Sequence, residues 1–422
     1  MSDPLSIAFA RLPGIDALRD RAAAIDVAAA RVPVNSHIHL PPNFSAFDSV
    51  AQATDLAAAQ AVGVLGVSNY YDYSIYGPFT EQVAAQRIFP MYGLEIIVMI
   101  DELRDSSIKV NDPGNPGKTY VCGKGITKFV DMSDRASVLL QQIRDADRGR
   151  MAAMIEKLGA VCCDRGFDTG LNEQGVVDMI VNRHGSLRET VYIQERHIAQ
   201  AFQEAVFDQA DSGERPAIVA AILGQDAKDA NDHVGIQAEI RSHLMKAGKP
   251  AFTEEAFITL PEATELILEL GGIPSYPTLA DGTSPICAFE DPPDKLLGHL
   301  RDYDFHAVEY IPIRNSAPVL TEYVTAMRTA GLIVTAGTEH NTLDLIGIEP
   351  TCVGGTPIPE AVKAIFWEGA CVVAAHQYLG YIGEPGFVDS NGVPNRSYAT
   401  ADERIGAFAR LGAAVIEAYR NP

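Results

Sequence analysis

His37 and His39 stand two residues apart at the end of a short run, Val32 to Leu40 (VPVNSHIHL). Residues i and i+2 of a strand point the same way, so this spacing turns two imidazoles toward one point. Such a pair can share a metal, but a bare His-x-His is more often two hydrogen-bonded histidines near the surface. Glu95 adds a second signal. It ends Tyr92-Gly-Leu-Glu95 and precedes an apolar run, and a carboxylate among buried strand residues needs a partner such as a metal or an arginine. The third is Gly337-Thr-Glu-His-Asn341, which follows the apolar run LIVTA and again puts a carboxylate and an imidazole at a strand's end. In barrels of parallel strands, active sites gather at the C-terminal strand ends. Three such ends in one chain favour a metal site.

The remaining histidines read as structural. His197 lies on an amphipathic helix. His184, His233, His243, His299 and His306 lack carboxylate or histidine company at ligand spacing. His376 can reach the site only if the C-terminal helices pack there. Cys122 has no base identifiable in the sequence and reads as a buried thiol. No dinucleotide fingerprint, phosphate-binding loop or GxSxG elbow is present.

The elements that must position these residues alternate. Strand-like segments at 32–40, 63–68 and 89–100 are separated by helix-like stretches, Asp48 to Ala61 and Phe79 to Arg87, which implies parallel strands with crossover helices. Ala17 to Arg31 reads as helical and Asn111 to Thr127 as a loop or lid. The chain then turns mostly helical. Strand–helix alternation resumes near Pro261, with strands at 272–276, 307–313 and 332–336. Two further helices are expected near 359–378 and 401–419. The divisions expected are an N-terminal helical segment (1–31), a barrel's first part (32–135), a helical insertion (136–250), the barrel's second part (251–345) and a C-terminal extension (346–422).

The 422 residues carry 33 basic and 55 acidic side chains, a formal net charge of −22. That balance argues against free nucleic-acid binding, which needs a basic footprint, and against an anionic membrane surface. At 47% hydrophobic residues and a mean hydropathy of +0.02, the composition is that of a globular chain. Six cysteines without a CxxC pair read as reduced thiols of a cytoplasmic protein. The N-terminus lacks a basic segment followed by an apolar core and does not read as a signal peptide.

In order, these segments resemble the PHP (polymerase and histidinol phosphatase) superfamily, nearest its nucleotide and oligonucleotide phosphoesterase branch. The His-x-His strand, GVLGVSNYYDY, YGLEI, TYVCGKGI, RGRMAAMIEKL followed by ERHIAQAF, GGIPSYP, AVEYIPIRN and TAGTEHN carry the resemblance, over residues 32–345. It implies an α/β fold: a distorted seven-stranded βα barrel with a helical insertion, a C-terminal extension and metals at the strand ends. It also implies which ligands remain. One metal's set maps to His37, His39, Glu95 and Glu339, and a one-residue shift in the match would put His340 in place of Glu339. Ligands of two further metals fall near Phe44 and at Tyr70, Tyr120, Tyr276 and Asn341.

The expectation is therefore a hydrolase using one divalent transition metal, Zn, Mn or Fe, against a small-molecule ester, amide or phosphoester. His340 or Asp72 would move protons. Tyr70, Tyr120 and Tyr276 would ring the site as hydrogen-bond donors, and Lys118, Lys124, Arg196 and Arg314 are candidate anion contacts. A lyase or isomerase on the same site, and a non-catalytic barrel, are the alternatives. The C-terminal helices would either pack on the barrel or join copies into a homo-oligomer.

Overall fold

The computed structural model describes residues 3–254 and 257–422, and they form two compact units. The first comprises residues up to Leu40, Ser49–Leu140 and Ile258–Pro422. The second comprises Pro41–Asp48 and Gln141–Phe257.

The first unit is a seven-stranded mixed barrel, nearly closed. Its strands are β1 (Val34–Ile38), β2 (Val64–Val67), β3 (Phe89–Met99), β4 (Lys118–Lys124), β5 (Ile273–Thr278), β6 (Ala307–Tyr310) and β7 (Ile333–Ala336), neighbours in that order. β1, β2 and β3 run parallel, as do β5, β6 and β7, while β4 is antiparallel to both its neighbours. Past β7 the ring is drawn shut: Glu339 N donates to His37 O (2.9 Å) and His39 N to Glu339 O (2.8 Å). The segment expected to be a loop, Asn111 to Thr127, thus contributes a strand. Its Thr-Tyr-Val-Cys core favours an extended chain, whereas its Gly/Pro-rich first half remains irregular.

Crossover helices connect the parallel strands. Val50–Ala59 is capped by Ser49, whose side chain accepts from Gln52 N. Leu260–Glu269, which leads into β5 and joins no parallel pair, starts with a capping box between Thr259 and Glu262. The helix Ile15–Ala24 ends earlier than its alanine content suggests, because Asp26 turns the chain by accepting from Ala28 N and Ala29 N.

The C-terminal helices Glu360–Tyr381 and Ala401–Arg420 belong to the barrel unit. Of the two roles left open for them, packing on the barrel is seen. Gln377 receives a bond from Tyr92 N and donates to Pro90 O, extending β3's hydrogen-bonding edge. The helices cross so closely that a Cβ on Gly412 would lie 1.7 Å from the Cys371 carbonyl oxygen. No helix among the described residues is long and apolar enough to cross a membrane.

The second unit is helical. It gathers Glu173–His184, Glu195–Gln209, Arg215–Leu223, His233–Ile240 and most of Asp134–Asp164 around Met154, Ile155, Leu158, Ile198 and Phe202. It starts and ends later than the expected 136–250 and takes in Pro41–Asp48 from far upstream.

Candidate metal centre

β1 delivers both histidines and β3 delivers Glu95. His37, His39 and Glu95 are all buried, and one donor atom of each converges on a single point. His37 Nε2 lies 3.3 Å from His39 Nε2 and 3.4 Å from Glu95 Oε2, and His39 Nε2 lies 3.0 Å from the same oxygen. Ligands bound at about 2.0–2.1 Å with tetrahedral angles sit about 3.3 Å apart, which is the size of this triangle. Although two ring nitrogens stand so near, Glu95 Oε2 has no hydrogen bond of good geometry among the described residues.

The other side of the His37 ring is engaged as well. His37 Nδ1 sits 2.6 Å from Glu309 Oε2, so a neutral His37 keeps its one proton on Nδ1, facing Glu309, and leaves Nε2 free to bind a cation. Glu309 is fully buried on β6. Its Oε1 lies 2.6 Å from Lys124 Nζ and 2.9 Å from Ser36 Oγ. Glu95 and Cys122 are partners across β3 and β4, and Glu309 and Thr335 across β6 and β7, so the sheet register sets the layer. Gly337 makes room for it: a Cβ there would lie 2.3 Å from His37 Cβ.

Burial opposes every charge here, yet the neighbours prevail for most. Burial would raise the Glu95 carboxyl, but His37 and His39 hold it well below the usual range. Burial likewise opposes Glu309's charge, while Lys124 and His37 bring its pKa down to about 2. Burial pulls His37 down, but Glu309 keeps its pKa well above the ordinary value. His39 has weaker support and burial lowers it. Burial pushes the Cys122 thiol up to about 12, which leaves it protonated and a poor nucleophile.

Glu339 and His340 follow β7 with backbone φ of +56° and +52°, a conformation that costs non-glycine residues and clusters at functional sites. Glu339 is held by Arg314, whose Nη1 and Nη2 reach its two oxygens at 2.9 and 2.5 Å, and by Asn341. It is not among the three atoms of the triangle. His340 Nδ1 lies 2.7 Å from Thr338 Oγ1 and its Nε2 3.1 Å from Ile346 O. Burial lowers His340's pKa to about 4, so it is neutral at neutral pH.

Tyr70 stacks on His39, with ring centroids 5.1 Å apart and planes within 3°. Tyr120 is half-buried near the start of β4, where Lys118 Nζ stands 5.8 Å from its ring centre. Tyr276 faces elsewhere. Its neighbour Ser275 pairs with Cys122, so Tyr276 occupies the opposite face of β5 and donates to Glu290 Oε1 at 2.7 Å. Lys118 is buried 3.5 Å from Asp112, and Lys124 is buried against Glu309. Asp72 accepts from Ser74 N and Ser74 Oγ, closing a turn. Arg196 is half-buried in the second unit, at the start of Glu195–Gln209. His376 accepts from Phe387 N and sits 2.9 Å from Gly271 O, a strut between loops.

Glu309 is the residue that reading the sequence overlooked. Its signal was there: like Glu95, it is a carboxylate set inside an apolar strand, AVEYI.

No family model and no curated protein matches the sequence. Two solved structures share the fold. A provisionally assigned metal-dependent phosphoesterase from Bifidobacterium adolescentis aligns with a TM-score of 0.51 at 13% identity, over 78% of this chain and 93% of that one. An amidohydrolase from Chromobacterium violaceum aligns with a TM-score of 0.50 at 15% identity, over 79% of this chain and 96% of that one. This chain is thus a seven-stranded α/β barrel distantly similar to those two structures, with buried His/Glu clusters able to hold a metal.

Proposed function

We propose that this protein is a metal-dependent hydrolase of small-molecule esters, amides or phosphoesters, with one divalent metal held by His37, His39 and Glu95. The observation that carries the reading is the triangle itself. Two imidazole nitrogens and a carboxylate oxygen, spaced 3.0–3.4 Å apart in a buried site, form a donor set whose type and size fit one cation. Two nitrogens and an oxygen suit Zn, Mn or Fe.

A divalent metal bound there supplies a water acidified toward neutral pH and polarises the scissile carbonyl or phosphoryl oxygen. The chain's own residues do the rest. Tyr70 covers one face of His39 and keeps bulk water from that ring. Arg314 offers a fork suited to a substrate carboxylate or phosphate, provided the substrate displaces Glu339 from it. Glu339, once released, is a candidate for a fourth ligand. Tyr120 donates a hydrogen bond to an oxyanion from the half-open side. His340 can carry a proton only by breaking its bond to Thr338 or to the Ile346 carbonyl.

The test is turnover of nitrophenyl carboxylic esters, anilides and phosphoesters by protein loaded with Zn, Mn or Fe. Hydrolysis of at least one class is expected, lost in the His37→Ala/His39→Ala double variant. Turnover that is unchanged in that variant refutes the assigned site.

A further inference from the structure

Resting on the metal reading, we propose that Glu309 is a positioning residue that fixes the His37 tautomer, and that Lys124 keeps it from being a ligand. Both Glu309 oxygens are already used. Oε2 takes the His37 Nδ1 proton at 2.6 Å, and Oε1 takes Lys124 Nζ at 2.6 Å with Ser36 Oγ at 2.9 Å. All three partners are buried. A buried ion pair of this kind is a weak source of stability, because desolvation cancels most of its attraction. What the pair does achieve is directional. A carboxylate accepts at both ends, so Lys124 and His37 can be satisfied together only while His37 donates from Nδ1. Nε2 is then left as the ligand atom, aimed at His39 Nε2 and Glu95 Oε2.

Glu309→Gln separates this role from packing. Glutamine has nearly the same shape but accepts at only one end. Its NH2 must face either Lys124 or the Nδ1 proton, and the second arrangement turns the His37 tautomer over. Loss of such an outer partner costs about 10–100-fold in metal affinity. Zinc competition against a chromophoric chelator is expected to show that loss in Glu309→Gln, with a wild-type circular dichroism spectrum. In Glu309→Gln/Lys124→Met the amide can turn its oxygen to His37, and most of the affinity is expected to return. An affinity for Glu309→Gln within threefold of wild type overturns the proposal, as does a double variant no better than the single one. Nitrogen NMR of wild-type protein labelled at histidine decides independently. Read at a pH where the ring is neutral, a proton on His37 Nδ1 supports the assignment, and one on Nε2 overturns it. Because this spectrum needs no metal, a chain that binds no zinc would end the hydrolase reading and still leave the tautomer to be read.

Discussion

Gly337→Ala tests whether the barrel wall sets the ligand geometry. A Cβ at this position would stand 2.3 Å from His37 Cβ and 2.9 Å from His37 O. Carbon atoms rest about 3.5–4.0 Å apart, so the gap must open by about 1.2–1.7 Å. β1 cannot slide freely, because Thr338 N and Glu339 N both donate to His37 O, at 3.1 and 2.9 Å. The methyl group is therefore expected to cost about 1–3 kcal/mol in stability by overpacking. It should also move His37 by a sizeable fraction of that distance, enough to break the 2.6 Å bond to Glu309 and spoil the triangle. A displacement near 1 Å at a reacting centre costs about 100-fold in rate. Urea unfolding, chelator competition and turnover would be measured together. Gly298→Ala serves as control: that helical glycine has no neighbour within 4 Å of its added Cβ, so a gain of up to about 1 kcal/mol is expected. If Gly337→Ala keeps wild-type zinc affinity and stability, the claim that Gly337 spaces β7 from His37 is wrong.

Tyr276→Phe should lower stability by about 1 kcal/mol, since it removes the donor to Glu290 Oε1, yet leave metal affinity unchanged because the ring faces away from the triangle; a matched loss of metal would place Tyr276 in the site instead. His376 folds neutral, with a pKa lowered by burial to about 4 against 6.5 in the unfolded chain. Below pH 6.5 the unfolded state binds the extra proton, so stability falls with pH down to about 4, by about 3 kcal/mol from this residue alone. Urea midpoints against pH should fall less steeply in His376→Gln, and parallel profiles would remove His376 from the account.

The central triangle was legible because its logic is local. A period of two joins His37 to His39, and a carboxylate in an apolar run marks Glu95. The alternation of strands and helices gave the barrel, since each strand must be covered by the helix that follows it. What stayed hidden depends on partners far apart in sequence. Glu309 meets His37 only because β6 and β1 stand close in a nearly closed ring, and nothing near residue 309 announces an imidazole. Arg314 claims Glu339 through the loop that follows β6. Tyr276 illustrates a different limit: strand side chains alternate, so a single residue of register decides whether a phenol faces the site or leaves it. The antiparallel direction of β4 and the joining of Pro41–Asp48 to the helical unit are likewise set by tertiary packing.

The most direct measurement is metal content. Protein purified after expression in metal-supplemented medium would be analysed by inductively coupled plasma mass spectrometry, beside His37→Ala/His39→Ala and Glu95→Gln. The account predicts about one Zn, Mn or Fe per wild-type chain, with the variants near zero. A wild-type chain that takes up no metal even when reloaded, or variants that keep a full equivalent, would contradict it.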